Sequence, residues 1–540
     1  MQASVKRLLA HPRFPLVAGA FFGAAALFPY LYGYLHQDAG WVFTGIVRLV
    51  GDNASYLAWA KQAQEGFALF AVPYTTEPQP RVLFLPFFLL VGWAARLTGL
   101  ALPLCMNLFY AAGIGFFLWA LWRWLKATGA SPAVRGLAFF LALFSSGFGA
   151  FLDRVAAEFP GLSPLARFPT GTPGIYGAAD LWSFDFITFA NVAHYPVAPV
   201  SLGLLLLSLA WMSRGEEKNN PWAAGVTAGV LFLVHPYDAA IAWGLVWMFP
   251  FVQRIPLKRA VSALMIFYGA ALPAAVYLLW MMGANPLLRE YSRSLHALTP
   301  SLVSYLVGLG PTFLLALAGA WCIYRRGERG GIPTLVWALA ALGALGLPLT
   351  ARFKLMHGAH IAFCFLAARG VAAVMEWTGT RAMGKTAALI GIVLLFGAGG
   401  TSNARLWKEN MENVSRHWLP YYLPRPLEEV LGHLDRNAEP YKTVLTSVNL
   451  GLFIPAWTGC KTYAGHWDQT LHREFKEREI ADFFSSEASV ESRWEFLKTH
   501  GISYLLLPLA HRGAMTGRGG EEKMFEKEFD NGYYHVYKVR

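Results

Sequence analysis

Long apolar runs are the feature that most constrains what this chain can fold into. They recur along the first 400 residues, and most approach the roughly 20 residues that a helix needs to cross a bilayer. Composition agrees, because 55% of residues are hydrophobic and only 14% are charged, against about 25% charged in soluble domains. The pattern predicts a polytopic α-helical membrane protein.

Eleven of these runs are predicted to span the membrane. A further run, at 82–98, has only 17 residues and contains Pro86, Gly92 and Arg96. We expect it to lie on the outer face as a juxtamembrane or re-entrant helix. The predicted spans are 15–35, 104–124, 134–152, 194–212, 221–235, 237–252, 260–282, 302–324, 332–350, 359–377 and 384–400.

The distribution of basic residues orients the predicted spans. With 82–98 outside, the short loops rich in Lys and Arg share one side, which the positive-inside rule assigns to the cytoplasm. If 82–98 spans instead, every later loop changes sides. Residues 402–540 hold 18 basic and 19 acidic residues, so the net charge of +12 belongs to the preceding part of the chain. This excess indicates membrane topology and phosphate contact rather than nucleic-acid binding.

The tail is predicted to be a separate domain. We expect a transmembrane domain at 1–401 and a small soluble α/β domain at 402–540 outside the membrane. Four cysteines offer neither a disulfide framework nor a metal-ligand spacing. The predicted strands of the tail are 441–446, 462–464, 502–507 and 533–539, and the predicted helices are 472–484 and 490–500.

Two carboxylates stand in the long first outer loop, 36–81. Asp52 precedes an amphipathic helix predicted at 53–65, whose apolar stripe includes Tyr56 and could rest on the bilayer. Glu77 follows in a Pro-flanked turn. Asp52 is a candidate catalytic base because long loops tend to carry function. The alternative is that Asp52 only caps the helix.

Further polar residues mark the second outer loop and its borders. Asp180 and Asp185 are followed by His194 at the start of a predicted span. Carboxylates at the mouth of a span are costly to desolvate, so a substrate contact, a second catalytic carboxylate or a metal ligand is predicted here. The alternative is two solvated loop acids.

The apolar stretch 221–252 is too long for one span. His235-Pro236-Tyr237-Asp238 interrupts it, which predicts a hairpin with these residues at the outer surface. His235 and Asp238 are candidate contacts to substrate hydroxyls. Alternatively, Pro236 makes the turn and Asp238 caps the next helix.

Loop 351–358 places Arg352, Lys354 and His357 outside, against the topology rule. In an extended loop Arg352 and Lys354 would share one face, so they could clamp a phosphate, with Arg81 joining them. The alternative is an anchor whose basic side chains snorkel to the lipid headgroups.

These features together resemble the GT-C superfamily of integral-membrane glycosyltransferases, in particular bacterial relatives of the protein mannosyltransferases and of the lipid A aminoarabinose transferase. In this resemblance Asp52 matches the first-loop acid, whereas Asn53 stands where many members have a second acid. The second carboxylate and any divalent metal are therefore left open, and no cofactor is predicted. The motifs are Gly-Asp-Asn…Tyr at 51–56, Tyr-Thr-Thr-Glu-Pro at 74–78, His-Pro-Tyr-Asp at 235–238, Arg-Phe-Lys at 352–354 and Thr-Tyr-Ala-Gly-His-Trp-Asp at 462–468.

The resemblance implies an inverting hexosyl or pentosyl transferase of the bacterial cytoplasmic membrane. A polyprenyl-phosphate sugar would be the donor, and a saccharide, a lipid or a protein the acceptor. Membrane lipid would be a partner and nucleic acid would not. The alternative function is a transporter or flippase for a lipid-linked saccharide, which broken hairpins also suit, but no inverted repeat is visible. The residues assigned are Asp52, Glu77 and Asp185 for catalysis, Arg352, Lys354, Arg81 and His357 for the donor phosphate, and Tyr56, Asp180, His194, His235 and Asp238 for substrate.

Overall fold

Helices dominate the fold. The computed structural model describes residues 3–167, 176–213, 219–252, 254–294, 301–349, 352–378, 382–485, 488–509 and 524–540. The helices up to residue 252 are α1 Ala3–Ala10, α2 Phe14–Leu35, α3 Val50–Gln64, α4 Pro86–Thr98, α5 Leu102–Ala127, α6 Pro132–Phe144, α7 Gly149–Glu158, α8 Ala179–Trp182, α9 Thr188–His194, α10 Ala198–Met212, α11 Pro221–Val234 and α12 Pro236–Val252.

The later helices and all the strands complete the list. Short 3-10 helices cover Pro160–Leu165, Arg329–Gly331 and Arg352–Met356. The helices are α13 Leu257–Ala284, α14 Pro286–Ser294, α15 Leu302–Leu309, α16 Pro311–Arg326, α17 Ile332–Ala344, α18 Ala359–Trp377, α19 Ala382–Gly399, α20 Thr401–Ser415, α21 Arg425–Asn437, α22 Val448–Gly451, α23 Ile454–Thr458, α24 Arg473–Phe484 and α25 Val490–Thr499. The strands are β1 Trp41–Phe43, β2 Tyr422–Pro424, β3 Thr443–Leu445, β4 Lys461–Thr462, β5 Ile502–Pro508, β6 Phe525–Asp530 and β7 Tyr534–Val539.

Contacts divide the chain into two compact units. Unit 1 contains Met1–Pro29, Tyr110–Leu279 and Leu295–Met411, and unit 2 contains Tyr30–Phe109, Trp280–Ser294 and Glu412–Arg540. The strands of the tail therefore fold in the same unit as the first long loop. The boundary expected between residues 401 and 402 stays a prediction.

Within the described residues, five helices are long and apolar enough to cross a membrane, or up to seven if each bent pair counts as one span. Every one of the eleven predicted spans overlaps a helix or a helix pair, but the number eleven is not confirmed. The five are Phe14–Leu35, Leu102–Ala127, Leu257–Ala284, Arg352–Trp377 and Thr386–Ser415.

Two predicted spans are not straight helices. Helices α6 and α7 meet at 54°, and α15 and α16 meet at 87°. In the second pair the bend falls at Gly310, whose φ of 50° is outside the helical region, and Pro311 then starts the next helix. The run at 82–98 forms α4, whose 13 residues extend about 20 Å, too short to cross the roughly 30 Å apolar core of a bilayer.

Unit 2 contains a five-stranded mixed sheet in the order β4-β3-β5-β7-β6. β3 is parallel to β4 and β5, whereas β7 is antiparallel to β5 and β6. The four strands and two helices expected in the tail are observed near their predicted positions. β6 was not predicted, because its sequence Phe-Glu-Lys-Glu-Phe-Asp is charged and its side chains are partly exposed at the sheet edge.

Candidate functional site

His235 lies at the break between α11 and α12 in unit 1, which confirms the predicted hairpin interruption. A residue before proline is pushed out of the helical region, and His235 is extended with φ −151° and ψ 91°. Pro236 then begins α12, and the Asp238 amide N–H donates to the His235 carbonyl at 3.1 Å. The spacing of three residues at a helix start therefore brings the His235 ring and the Asp238 carboxylate together.

His357 approaches the same carboxylate from a different segment. It follows the 3-10 helix Arg352–Met356, and its amide N–H donates to the Lys354 carbonyl at 3.1 Å. Gly358, with φ 71°, reverses the chain into α18, a conformation that favours glycine. His357 Nδ1 lies 2.5 Å from Asp238 Oδ1, and His235 Nδ1 lies 3.2 Å from the same oxygen.

Lys354 and Asp185 lie beside these residues. Lys354 Nζ is 2.5 Å from Asp185 Oδ2, and both side chains are mostly buried. Burial alone would raise the pKa of Asp185, but the charges of Lys354, His357 and His235 lower it. We call Asp185, His235, Asp238, Lys354 and His357 the unit 1 polar cluster. All five were candidates from the sequence.

Arg352 does not join Lys354. The expectation of an extended loop is wrong, because Arg352–Met356 is a 3-10 helix, in which residues two apart point in different directions. Arg352 Nη1 donates to the Leu347 carbonyl at 3.0 Å, whereas Lys354 turns to Asp185. Arg352 and Lys354 therefore have different partners in this structure, and their binding of the donor phosphate stays a prediction.

Asp180 is enclosed in unit 1 and hydrogen-bonded to the backbone. Its side chain is buried, with 2% of the residue exposed, and Oδ2 accepts a hydrogen bond from the Gly149 amide at the start of α7. Burial raises the pKa of Asp180 to about 7, against the lowering effect of its hydrogen bonds. The alternative of two solvated loop acids is wrong, since Asp180 is enclosed and Asp185 is ion-paired.

His194 is also enclosed in unit 1. It is fully buried, its Nε2 contacts the Asn410 side-chain amide, and its ring packs edge-on against Phe184. These contacts join α9 to α20 and to the segment before α9. They give His194 a packing role, and its predicted contact with substrate stays a prediction.

Asp52 lies in unit 2, inside α3 rather than in front of it. The helix begins at Val50, after Leu49 in the left-handed conformation, so Asp52 belongs to the first turn and the capping alternative is wrong. The expectation of a surface helix is also wrong, because most of α3 is buried. Val50 packs against the apolar core next to the sheet.

The residues before Asp52 contact the 462–468 motif. A Cβ on Gly51 would lie 2.9 Å from Trp467 Cδ1 and 3.5 Å from His466 Nε2, so glycine permits this approach. The His466 ring lies 5.3 Å from the Tyr74 ring, centroid to centroid. Three of the segments quoted for the resemblance therefore meet in unit 2 around the start of α3.

Glu77 forms an ion pair with Lys476 of α24, with 2.7 Å between Oε1 and Nζ. The Lys476 side chain is only 4% exposed, and its Nζ also contacts the Thr75 hydroxyl at 3.1 Å. Burial would raise the pKa of Glu77, but hydrogen bonds from Lys476 and Thr75 lower it. The pair fastens the Pro-flanked turn to the helices of the tail.

Tyr56 and Arg81 each pack against aromatic rings in unit 2. The Tyr56 ring stacks on Phe88 of α4 at 5.0 Å. The Arg81 guanidinium carbon lies 3.7 Å from the Phe67 ring centre and 3.4 Å from that of Tyr441. Such cation–π contacts hold the Arg81 side chain in place, and its role toward phosphate stays a prediction.

Sequence reasoning missed Lys476. It lies in the helix Arg473–Phe484, which contains several charged residues. From the sequence, Lys476 is as good a candidate for solvent exposure as any of the others. No spacing signal distinguishes it, because its partner is 399 residues earlier in the chain. His466 belongs to the motif at 462–468, but the sequence predicts no role for it. The structure places its side chain beside Gly51 at the start of α3.

The unit 1 polar cluster can bind charge and exchange protons. It contains two carboxylates, one ammonium and two imidazoles; Asp238 and His357 are buried, and Asp185, His235 and Lys354 are partly buried. Burial strengthens the electrostatic interactions among them. His235, Asp238 and His357 also offer three atoms within 4.8 Å of one another, so they are the described residues that could hold a metal.

Comparison with known proteins gives a structural match only. No protein-family model and no curated protein sequence matches the chain. The apo crystal structure of the oligosaccharyltransferase from Archaeoglobus fulgidus matches over 98% of this chain and 75% of its own, at a TM-score of 0.51 and 13% identity. ArnT from Cupriavidus metallidurans bound to undecaprenyl phosphate covers 96% of this chain and 97% of its own, with a TM-score of 0.49 and 12% identity.

At this identity the match establishes the fold and leaves activity to the residues of the site. The oligosaccharyltransferase is a GT-C glycosyltransferase, and the match extends over nearly all of this chain. The chain therefore has the fold of the GT-C integral-membrane glycosyltransferases.

Proposed function

We propose that this chain is a glycosyltransferase of the bacterial cytoplasmic membrane. It would move a sugar from a polyprenyl-phosphate carrier to an acceptor on the outer face, with inversion. The observation that carries the proposal is the GT-C fold along 98% of the chain. Since fold alone does not give function, the polar residues must account for the chemistry.

The reaction needs a base and a stabilised leaving group. An acceptor hydroxyl or amine attacks the anomeric carbon, the bond from that carbon to the phosphate oxygen breaks, and the polyprenyl phosphate leaves with the electron pair. One base takes the acceptor proton, as single displacement with inversion requires. Asp52 is proposed for this role, with its carboxylate in the first turn of a largely buried helix.

The unit 1 polar cluster supports the proposal from a separate direction. Charges fixed in a low-dielectric environment stabilise a developing phosphate charge more than the same charges in water would. Asp238 holds the two imidazoles there, and the ion pair of Lys354 with Asp185 fastens the turn that carries His357.

The test is transfer by the purified full-length protein in lipid nanodiscs. Undecaprenyl-phosphate glucose, mannose and arabinose are supplied as donors together with a membrane extract that contains saccharide, lipid and protein acceptors, and release of undecaprenyl phosphate is measured by mass spectrometry. We expect release from at least one donor, faster than in nanodiscs without protein. If the donor stays intact in nanodiscs and the same protein moves it between the leaflets of sealed proteoliposomes, the chain is a flippase and the proposal is wrong.

A further inference from the structure

We propose that His235, Asp238 and His357 bind one transition-metal ion of the Zn²⁺ class. The ion would give the unit 1 polar cluster the positive charge that an anionic phosphate requires. The binding site stands on geometry alone, whereas its role toward a donor rests on the proposed function. The three residues come from two segments more than a hundred positions apart, so a bound ion would link the hairpin break to the turn before α18.

The distances suit a shared ion. Zn²⁺ binds imidazole nitrogen and carboxylate oxygen at about 2.0–2.2 Å, so ligand atoms around a tetrahedral ion are about 3.3 Å apart. His235 Nδ1 is 3.2 Å from Asp238 Oδ1, and His357 Nδ1 is 2.5 Å from it. An ion would need His357 to withdraw by less than 1 Å, roughly, within the side-chain adjustments common in binding.

The ligand atoms have no partner outside their own group. In the described ranges, His235 Nδ1, His357 Nδ1 and both Asp238 oxygens are buried and, apart from the two histidine–carboxylate contacts, make no hydrogen bond. Buried polar atoms in folded proteins nearly always have a hydrogen-bond partner, so four such atoms side by side are unusual. One cation at the centre would engage three of these atoms at once.

The donor set indicates which metals bind. Two imidazoles and one carboxylate suit Zn²⁺ and neighbouring first-row ions, whereas Mg²⁺ and Ca²⁺ prefer sites made of oxygen atoms. Three protein ligands leave one tetrahedral position for water or a substrate oxygen, as in catalytic zinc sites. The site is therefore suited to accept a phosphate oxygen directly.

The net charge of the unit 1 polar cluster also favours a bound cation. Lys354 is neutralised by Asp185, and an imidazole that binds a metal is in its neutral form, so in the metal-binding state the five residues carry one net negative charge from Asp238. A phosphate would be repelled by that charge. A divalent ion changes the net charge of the cluster from −1 to +1, which favours an anionic ligand in a low-dielectric site.

The experiment measures metal binding without turnover. Full-length protein is purified in detergent without chelator, and its metal content is determined by mass spectrometry. The protein is then stripped with EDTA and titrated with CoCl₂, whose visible absorption reports coordination by nitrogen ligands in a tetrahedral site. We expect one equivalent of zinc, a cobalt spectrum, displacement of cobalt by ZnCl₂ and no displacement by MgCl₂.

Variants assign the site. Asp238→Asn, His235→Gln and His357→Gln should each weaken zinc binding by about tenfold or more, in the range seen when metal sites are perturbed. His472→Gln is the matched control, because His472 is exposed on the surface of unit 2. This variant protein should bind zinc as tightly as the parent protein does. A variant that fails to fold is identified by size-exclusion chromatography and excluded. The cobalt spectrum of the parent protein then still shows whether a nitrogen-ligated metal site exists.

Two outcomes would overturn the proposal. One is a stripped protein that takes up neither cobalt nor zinc, and the other is zinc binding that persists in all three folded variants. Metal binding without sugar transfer would leave the site intact and reject the proposed function. Transfer by a metal-free protein would reject the role of the ion and leave the proposed function intact.

Discussion

Lys354 Nζ and Asp185 Oδ2 lie 2.5 Å apart, with 21% and 13% of the two side chains exposed. The residues are 169 positions apart in sequence, so the contact fastens the turn before α18 to the loop before α9. The pairing also removes the net charge that a phosphate clamp at Lys354 would need.

Lys354→Gln should therefore destabilise the protein by about 3–5 kcal/mol, because it leaves a buried carboxylate without its partner. Adding Asp185→Asn should restore most of the stability and return the affinity for undecaprenyl phosphate to within about threefold of the parent, roughly 0.6 kcal/mol. Thermal unfolding in detergent and native mass spectrometry measure the two effects. Affinity that stays low in the double variant would instead mean that Lys354 contacts the phosphate.

Glu77 and Lys476 allow a similar separation of structure from catalysis. Glu77→Gln should lower stability, since Lys476 is buried and would lose its charged partner. If Glu77 is only structural, the double variant Glu77→Gln, Lys476→Met recovers both stability and transfer. A catalytic Glu77 predicts recovered stability with transfer still lost, so transfer rates measured at equal folded protein distinguish the two roles.

Asp52→Asn tests the proposed base. Asp52 is not the helix cap, and the change removes the attraction between a carboxylate and the helix start, which is about 0.3–1 kcal/mol. Transfer should fall by about a hundredfold or more while expression stays near normal. Asp482→Asn, an exposed acid of the same unit, is the control. Near-normal transfer by Asp52→Asn would exclude Asp52 as the base.

Asp180 predicts a pH dependence of stability. Burial raises its pKa to about 7 in the folded protein, against 3.8 for an ordinary Asp. Between these values the folded state binds more protons at Asp180 than the unfolded state does, so the contribution of Asp180 to stability is greatest below about pH 4 and is lost as the pH rises to about 7.

The variant Asp180→Asn keeps an oxygen that accepts from the Gly149 amide and cannot ionise. It should therefore unfold at a higher temperature than the parent at pH 8, by the equivalent of about 1 kcal/mol or more. The difference between the two proteins should shrink toward pH 5. If the parent and Asp180→Asn unfold at equal temperatures at both pH values, ionisation of Asp180 does not destabilise the folded protein, and the raised pKa is wrong.

The topology can be tested in intact cells. The four native cysteines are buried, so single cysteines introduced at exposed positions report the side of the membrane. A membrane-impermeant thiol reagent should label Lys442→Cys, in the tail, and not Arg329→Cys, between α16 and α17. Labelling of Arg329→Cys alone would reverse the proposed orientation and with it the placement of the first loop outside.

The sequence by itself determined the class of fold and many local breaks. Apolar runs need no tertiary information, because each must be buried in lipid or protein whatever the arrangement. Proline also acts locally, so Pro236 marked the break at His235 without knowledge of its neighbours. In the tail, alternation of apolar residues identified β5 and β7, but not the charged edge strand β6.

Only the tertiary structure decided what the candidate residues do. His357 meets Asp238, and Lys476 meets Glu77, through contacts between segments far apart in the chain, which a single sequence does not encode in any readable spacing. The conformation at 352–356 likewise followed from packing, and a 3-10 helix separated Arg352 from Lys354 where an extended loop would have joined them. The interaction energy of two charges depends on the distance between them, and for residues far apart in sequence only the folded structure sets that distance.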